Sequence, residues 1–136
     1  MFETFDHTAD IGLRIRAADL DGLFADAARG LFSIMVENPD RIEPRTSVGV
    51  SLAAGNLEDL FFDWLAELLY TFDTRHLLLS QFDVNVENSS LRADCRGEAI
   101  DLRRHQLIRE VKAITYHELS VKRVNEGWQA QVIVDI

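Results

Sequence analysis

Two helical stripes constrain this chain more than any other feature. Apolar residues stand at Leu20, Leu23, Phe24, Ala27, Ala28, Leu31, Phe32 and Met35, and again at Leu57, Leu60, Phe61, Trp64, Leu65, Leu68, Leu69 and Phe72. Steps of three and four bring each set to one side of a helix, so two helices must find a shared core. Asp19 and Asn56 stand where an N-cap is needed, and Asn38-Pro39 stops the first helix, because proline disfavours helical backbone in the residue before it. One apolar set shifted along the chain superimposes on the other, and each follows an alternating segment. Two related strand–helix–strand halves would give this pattern, as would any two core-facing helices of equal length.

The remaining chain reads as strand. Alternation marks residues 2–5, 11–16 and 46–53, the last with Val48, Val50 and Leu52 on one face. Phe82, Val84 and Val86 lead through Asn88-Ser89-Ser90 into 91–100, a hairpin pattern. Residues 101–105 read as a charged connector of about one helical turn, and 107–112 suits a strand or a short helix equally. Two last strands are expected over 115–124 and 128–136, joined by Asn125-Glu126-Gly127. The expected class is α+β: one domain over 1–136, with two amphipathic helices packed on a largely antiparallel sheet. A chain of 136 residues can bury such a core without disulfides or a structural metal.

Charge and composition narrow the function. The net charge is −9, from 23 acidic against 14 basic residues, which argues against RNA or DNA as the main direct partner. It suits a basic partner, whose opposite field steers association, and equally a protein merely kept soluble. Cys95 is the single cysteine and cannot bridge internally. The opening residues lack the basic-then-apolar pattern of a signal peptide, and no apolar run is long enough to cross a bilayer. The expected compartment is the cytoplasm.

Chemistry-bearing residues concentrate at Asp6-His7-Thr8-Ala9-Asp10, between short hydrophobic segments, where a loop would deliver them to one point. Carboxylate and hydroxyl oxygens are hard ligands suited to calcium, magnesium or manganese, and one histidine is too little for structural zinc. Similar donors recur at Asp135 and at Ile136, the last residue, with its free carboxylate. If the first loop and last strand meet, Asp10, Asp135 and Ile136 can hold one cation. Against this stands the ordinary use of aspartate and threonine to cap turns.

Asp6-His7-Thr8-Ala9-Asp10-Ile11-Gly12 resembles the opening signature of the archease family. The likeness continues at Asp63-Trp64-Leu65-Ala66-Glu67-Leu68-Leu69-Tyr70, Val111-Lys112-Ala113-Ile114-Thr115-Tyr116-His117 and Val134-Asp135-Ile136, in family order across nearly the whole chain. The resemblance implies a non-catalytic activator of an RtcB-type RNA ligase in tRNA splicing and RNA repair. Such an activator promotes GTP-dependent guanylylation of the ligase and multiple turnover. It also implies a divalent cation, calcium in the family, held by Asp10, Asp135 and Ile136; manganese or magnesium suits the same donors. Asp6, His7, Lys112, Tyr116 and His117 are expected to line that site, although Tyr116 and His117 face opposite ways if their stretch is a strand. An older reading of the family is a chaperone or specificity modulator of tRNA or DNA methyltransferases.

Other features weigh less. A metal-dependent hydrolase using Asp6, His7 and Asp10 is disfavoured by the lack of a glycine-rich phosphate loop and of paired metal-binding histidines. Arg103, Arg104, His105, Arg109 and Lys112 form a basic patch that either meets phosphate or is a solvated surface. Trp64 and Phe72 belong to the core by spacing. Cys95 alternates into a strand face without a nearby base. Glu58, Asp59, Asp63 and Glu67 form the wet face of the second helix and could offer an arginine-rich partner a surface.

Overall fold

The computed structural model describes all residues except Thr8 and Ala9, together with the side chain of His7. The elements run β1 (Phe2–His7), β2 (Asp10–Ala17), α1 (Leu20–Met35), a short 3-10 turn (Pro39–Arg41), β3 (Thr46–Ala53), α2 (Leu57–Arg75), β4 (Leu77–Glu87), β5 (Ser90–Ala99), β6 (Ala113–Ile114), β7 (Ser120–Val124) and β8 (Gly127–Asp135). All strand pairs are antiparallel, and the class is α+β as expected. The strands form two sheets. One runs β1-β2-β8, with β6 and β7 both paired to the far side of β8; the other runs β3-β5-β4.

Both helices begin where their caps predict. The Asp19 carboxylate accepts the Gly22 N–H at 2.7 Å, and the Asn56 side-chain amide oxygen accepts the Asp59 N–H at 2.8 Å. Helix α2 ends at His76, which takes left-handed backbone (φ 53°) while its N–H closes on the Phe72 carbonyl. The two matched stripes are buried as matched: Leu23, Phe24, Ala27, Ala28, Leu31 and Phe32 on α1, and Leu60, Phe61, Trp64, Leu65, Leu68 and Leu69 on α2. Burial on α1 extends beyond its stripe to Ala25, Gly30 and Ile34, because it packs against β2 of one sheet and β4 of the other.

The core closes through aromatic contacts. Phe24 and Phe61 meet edge to face at 5.3 Å, and Phe82 of β4 lies against both Phe32 and Trp64. The Trp64 indole N–H donates to the Phe24 carbonyl at 2.9 Å, so its one polar atom is satisfied inside the core. Half-buried Phe72 packs at the margin.

The C-terminal third departs from expectation. Of the strand expected over 115–124 only β7 forms, and a turn at 115–119 separates it from the two-residue β6. Glu118 takes left-handed backbone there (φ 56°), and the Leu119 N–H reaches the Tyr116 carbonyl at 3.2 Å. Residues 107–112 are neither helix nor strand. They form a strap held to the end of α1 by an isolated bridge between Val36 and Leu107 and by the Ile108 N–H on the Met35 carbonyl. No helix among the described residues is long and apolar enough to cross a membrane.

Gly97 marks the tightest backbone approach. A Cβ there would lie 1.8 Å from the Leu78 carbonyl oxygen, beside the irregularity in β4 between Leu79 and Gln81. Gly97→Ala is expected to cost about 3 kcal/mol through forced backbone displacement. Gly49→Ala, with nothing near its Cβ position, should be neutral or stabilising. Urea midpoints of the two variants check the contrast.

Candidate metal centre

The register between β2 and β8 builds the site. Asp10 pairs with Asp135, Ile11 with Val134, Gly12 with Ile133 and Leu13 with Val132. Residues directly opposite in an antiparallel pair project to the same side. Ile11, Leu13, Val132 and Val134 are buried, and alternation turns Asp10 and Asp135 to the other face, where both are half-buried. Like charges directly opposed across a strand pair call for a compensating partner, and a cation is one that carboxylate oxygens can hold. Strand β6 fixes the second one: Ala113 pairs with Asp135, and the Lys112 N–H donates to the Asp135 carbonyl at 2.7 Å.

The donor chemistry fits a hard cation. Both side chains offer oxygen, and adjacent strands hold them in register. Among the described residues no group of three or more His, Cys, Asp or Glu side chains could hold a metal ion. The pair therefore needs a further donor. The Ile136 side chain packs against the core.

The other expected site residues divide. His7 stands opposite Asp10 in the register, on the same row as Asp135; its side chain and Thr8 lie outside the described residues. Asp6 stands opposite Ile11, so it projects from the other face and lines a cleft with Phe2, Ser33 and Arg109. It is not brought to the Asp10–Asp135 pair. Lys112 contributes its backbone while its side chain is exposed.

Tyr116 is neither at the pair nor in the core. It is 55% exposed, lies flat on Phe62 of α2 at 4.0 Å and 9°, and donates its hydroxyl to Asp59 at 3.3 Å. His117 is exposed, with its N–H on the Thr115 hydroxyl. The expectation that the two alternate across a strand fails because β6 stops at Ile114. The sequence signal for the Phe62–Tyr116 pair was weak: Phe62 and Tyr70 are both aromatics on α2 that fall off the core stripe.

The basic patch is not one surface. Arg104 and His105 turn inward to Glu98, a buried carboxylate on β5. Glu98 accepts from the Arg104 guanidinium, from the Glu43 N–H at 2.7 Å and at 3.0 Å from His105 Nε2. The Asp101 N–H donates to His105 Nδ1 at 2.9 Å, which leaves the neutral ring's proton on Nε2, facing Glu98. Arg103 remains outward, with its nearest carboxylate, Asp101, at 3.6 Å. Burial opposes ionisation of Glu98, but the Glu43 N–H, His105 and Arg104 together outweigh it and hold the carboxyl below its ordinary value. Cys95 is fully buried, and that burial, with Asp94 nearby, pushes its thiol up to about 12. A nucleophilic role is thereby excluded at neutral pH.

Two outcomes follow from these charges. A depressed folded-state pKa stabilises the fold above the ordinary glutamate value of 4.5, and that contribution is lost as pH falls through the lower folded value. Glu98→Gln should therefore lose about 2 kcal/mol at pH 7 and show a flatter stability curve below pH 4.5, by urea titration at several pH values. Asp135→Asn should leave the melting temperature of metal-free protein unchanged and abolish stabilisation by added calcium. Calorimetry with chelator and with calcium checks both.

Comparison with known proteins places the chain in a family. The profile of the Archease protein family matches residues 2–136. Protein archease of Pyrococcus furiosus is 36% identical over 99% of this chain and 98% of its own length; that of Methanosarcina barkeri is 34% identical over 99% and 95%. The solution structure of Methanobacterium thermoautotrophicum protein 1598 is similar with a TM-score of 0.86 and 32% identity, covering 99% of this chain and 98% of that one. A crystal structure from Thermotoga maritima, described as an archease and "possible chaperone", shares the fold with a TM-score of 0.68 at 23% identity, covering 100% and 98%.

Proposed function

The chain belongs to the archease family, and from that premise we propose that it is a non-catalytic activator of an RtcB-type RNA ligase. On this reading it works in the cytoplasm in tRNA splicing and RNA repair. It promotes transfer of GMP from GTP to the ligase and supports multiple turnover. The observation that carries the proposal is the cross-strand pair Asp10–Asp135, two carboxylates held on one sheet face by strands whose other face is core. Asp10, Asp135 and the carboxylate of Ile136 would hold a divalent cation, calcium by family resemblance, with manganese or magnesium suited to the same oxygens.

Such a cation would supply charge neutralisation beside the partner's phosphate chemistry. The part played by this chain is positioning: the β2–β8 register holds Asp10 opposite Asp135, and the β6 ladder and Lys112 N–H hold the Asp135 backbone. A net charge of −9 suits docking on a basic RNA-handling enzyme better than on RNA. A second reading, chaperone or specificity modulator of a tRNA or DNA methyltransferase, draws on the words "possible chaperone" attached to the Thermotoga maritima protein. The two part company on ligation, since a methyltransferase chaperone leaves it unchanged.

GMP transfer to excess ligase from the same organism, with GTP and manganese, is the direct test. Substoichiometric protein should speed it. Asp10→Ala and Asp135→Ala should each lower the rate at least tenfold while leaving the melting curve native. A tag fused after Ile136 should impair activation by converting the carboxylate to an amide. Full activity of both alanine variants would defeat the cation site, and no effect of the unmodified protein would defeat the ligase reading itself.

A further inference from the structure

Helix α2 presents an outer face on which the fold places an aromatic ring where none is needed for packing. Tyr116 arrives from the turn after β6 and lies flat on Phe62, yet more than half of it remains exposed. The Phe62 ring backs one face of Tyr116, and its hydroxyl is tied to Asp59, so the ring is held in one orientation. Partial burial first, then the carboxylates of Asp59 and Asp63, push the phenol above its ordinary value, and it remains a protonated donor. Glu58 completes the acidic margin: one of its oxygens accepts the Val121 N–H at 3.3 Å, which ties this end of α2 to β7.

A fixed aromatic ring with carboxylates at its margin matches one side chain above others. A guanidinium stacks flat on the ring and donates bidentately to a carboxylate; an ammonium is a strongly hydrated point charge that does neither as well. Every formal charge on α2 from Glu58 to Asp73 is negative, so a cationic segment meets no repulsion along it. We infer that the Tyr116–Phe62 stack with Asp59 and Asp63 is a docking surface for an arginine side chain carried by a basic partner protein. The surface is distinct from the Asp10–Asp135 pair: Ile114, one row along β6 from Ala113, is buried, and Tyr116 leaves the ladder on the α2 side.

The test uses the whole protein, isotope-labelled, with two probes of equal charge: a short capped peptide with two arginines and its two-lysine counterpart. The arginine peptide should shift the Tyr116 and Phe62 ring signals and bind roughly three- to tenfold more tightly than the lysine peptide. Tyr116→Leu should remove that preference, and Tyr116→Phe should keep most of it. Equal binding of both peptides, or shifts centred elsewhere on the acidic surface, would overturn the inference. One arm rests on the ligase reading: in guanylylation assays Tyr116→Leu should raise the concentration giving half-maximal activation without lowering the maximum, whereas Asp10→Ala lowers the maximum. An unchanged half-maximal concentration for Tyr116→Leu would exclude the ligase as the arginine carrier, and the peptide arm reads out even where no ligase is activated.

Discussion

Helix α1 has two sheets to satisfy. Leu23, Phe24, Ala27, Leu31, Phe32 and Met35 would suffice for one sheet, but Ala25, Gly30 and Ile34 are also buried, leaving only a narrow strip with Arg29 and Ser33 toward water. A helix apolar on most sides is an interior element, and it divides the strands into a five-stranded and a three-stranded sheet. Gly30 shows how tight the fit is: a Cβ there would come within 2.7 Å of the Leu13 side chain. Shifting α1 would move β2, and β2 sets the position of Asp10.

The carboxylate pair inherits its geometry from that packing. Strand periodicity is two, so a one-residue slip between β2 and β8 would turn Asp135 toward the core and Val134 toward solvent. Burial of Ile11, Leu13, Val132 and Val134 on one face forbids the slip. On the outer face Phe5 lies over Gly12, leaving no space for a Cβ, and Arg14 stacks on Phe5 at 4.5 Å while donating to Gln131. Hydrophobic burial over the whole sheet thus maintains the juxtaposition of Asp10 and Asp135 at its end. This is how a fold can fix two polar side chains relative to one another without a direct bond between them.

The sequence made some of this legible and hid the rest for identifiable reasons. Caps at Asp19 and Asn56 and the apolar stripes gave α1 and α2, because helix signals are local. Strand β3 came out with its observed ends for the same reason: alternation is local too. The connector at 101–105 came out as one turn, but its inward contacts and the conformation of 107–119 did not, since these depend on partners far along the chain. Glu98 draws Arg104 and His105 inward, Val36 pairs with Leu107, and Phe62 takes Tyr116. A basic run therefore looked like a surface when two of its members close a buried network. Asp10 and Asp135 stood out as residue types, but their pairing is a fact of sheet register, and periodicity fixes faces without fixing neighbours.

That long-range segment also sets how the two acidic regions relate. From Glu98 the chain runs through the His105 anchor, crosses the end of α1, reaches Asp135 through the Lys112 N–H, forms two residues of β6 and turns at Tyr116 onto α2. One irregular segment therefore touches the buried Glu98 network, the carboxylate pair and the outer face of α2 in sequence. Its hold is a few specific polar contacts and Val111 and Ile114, which are buried, rather than a continuous ladder. A disturbance at Tyr116 meets the buried Ile114 and its pairing with Val134 before it reaches Asp135.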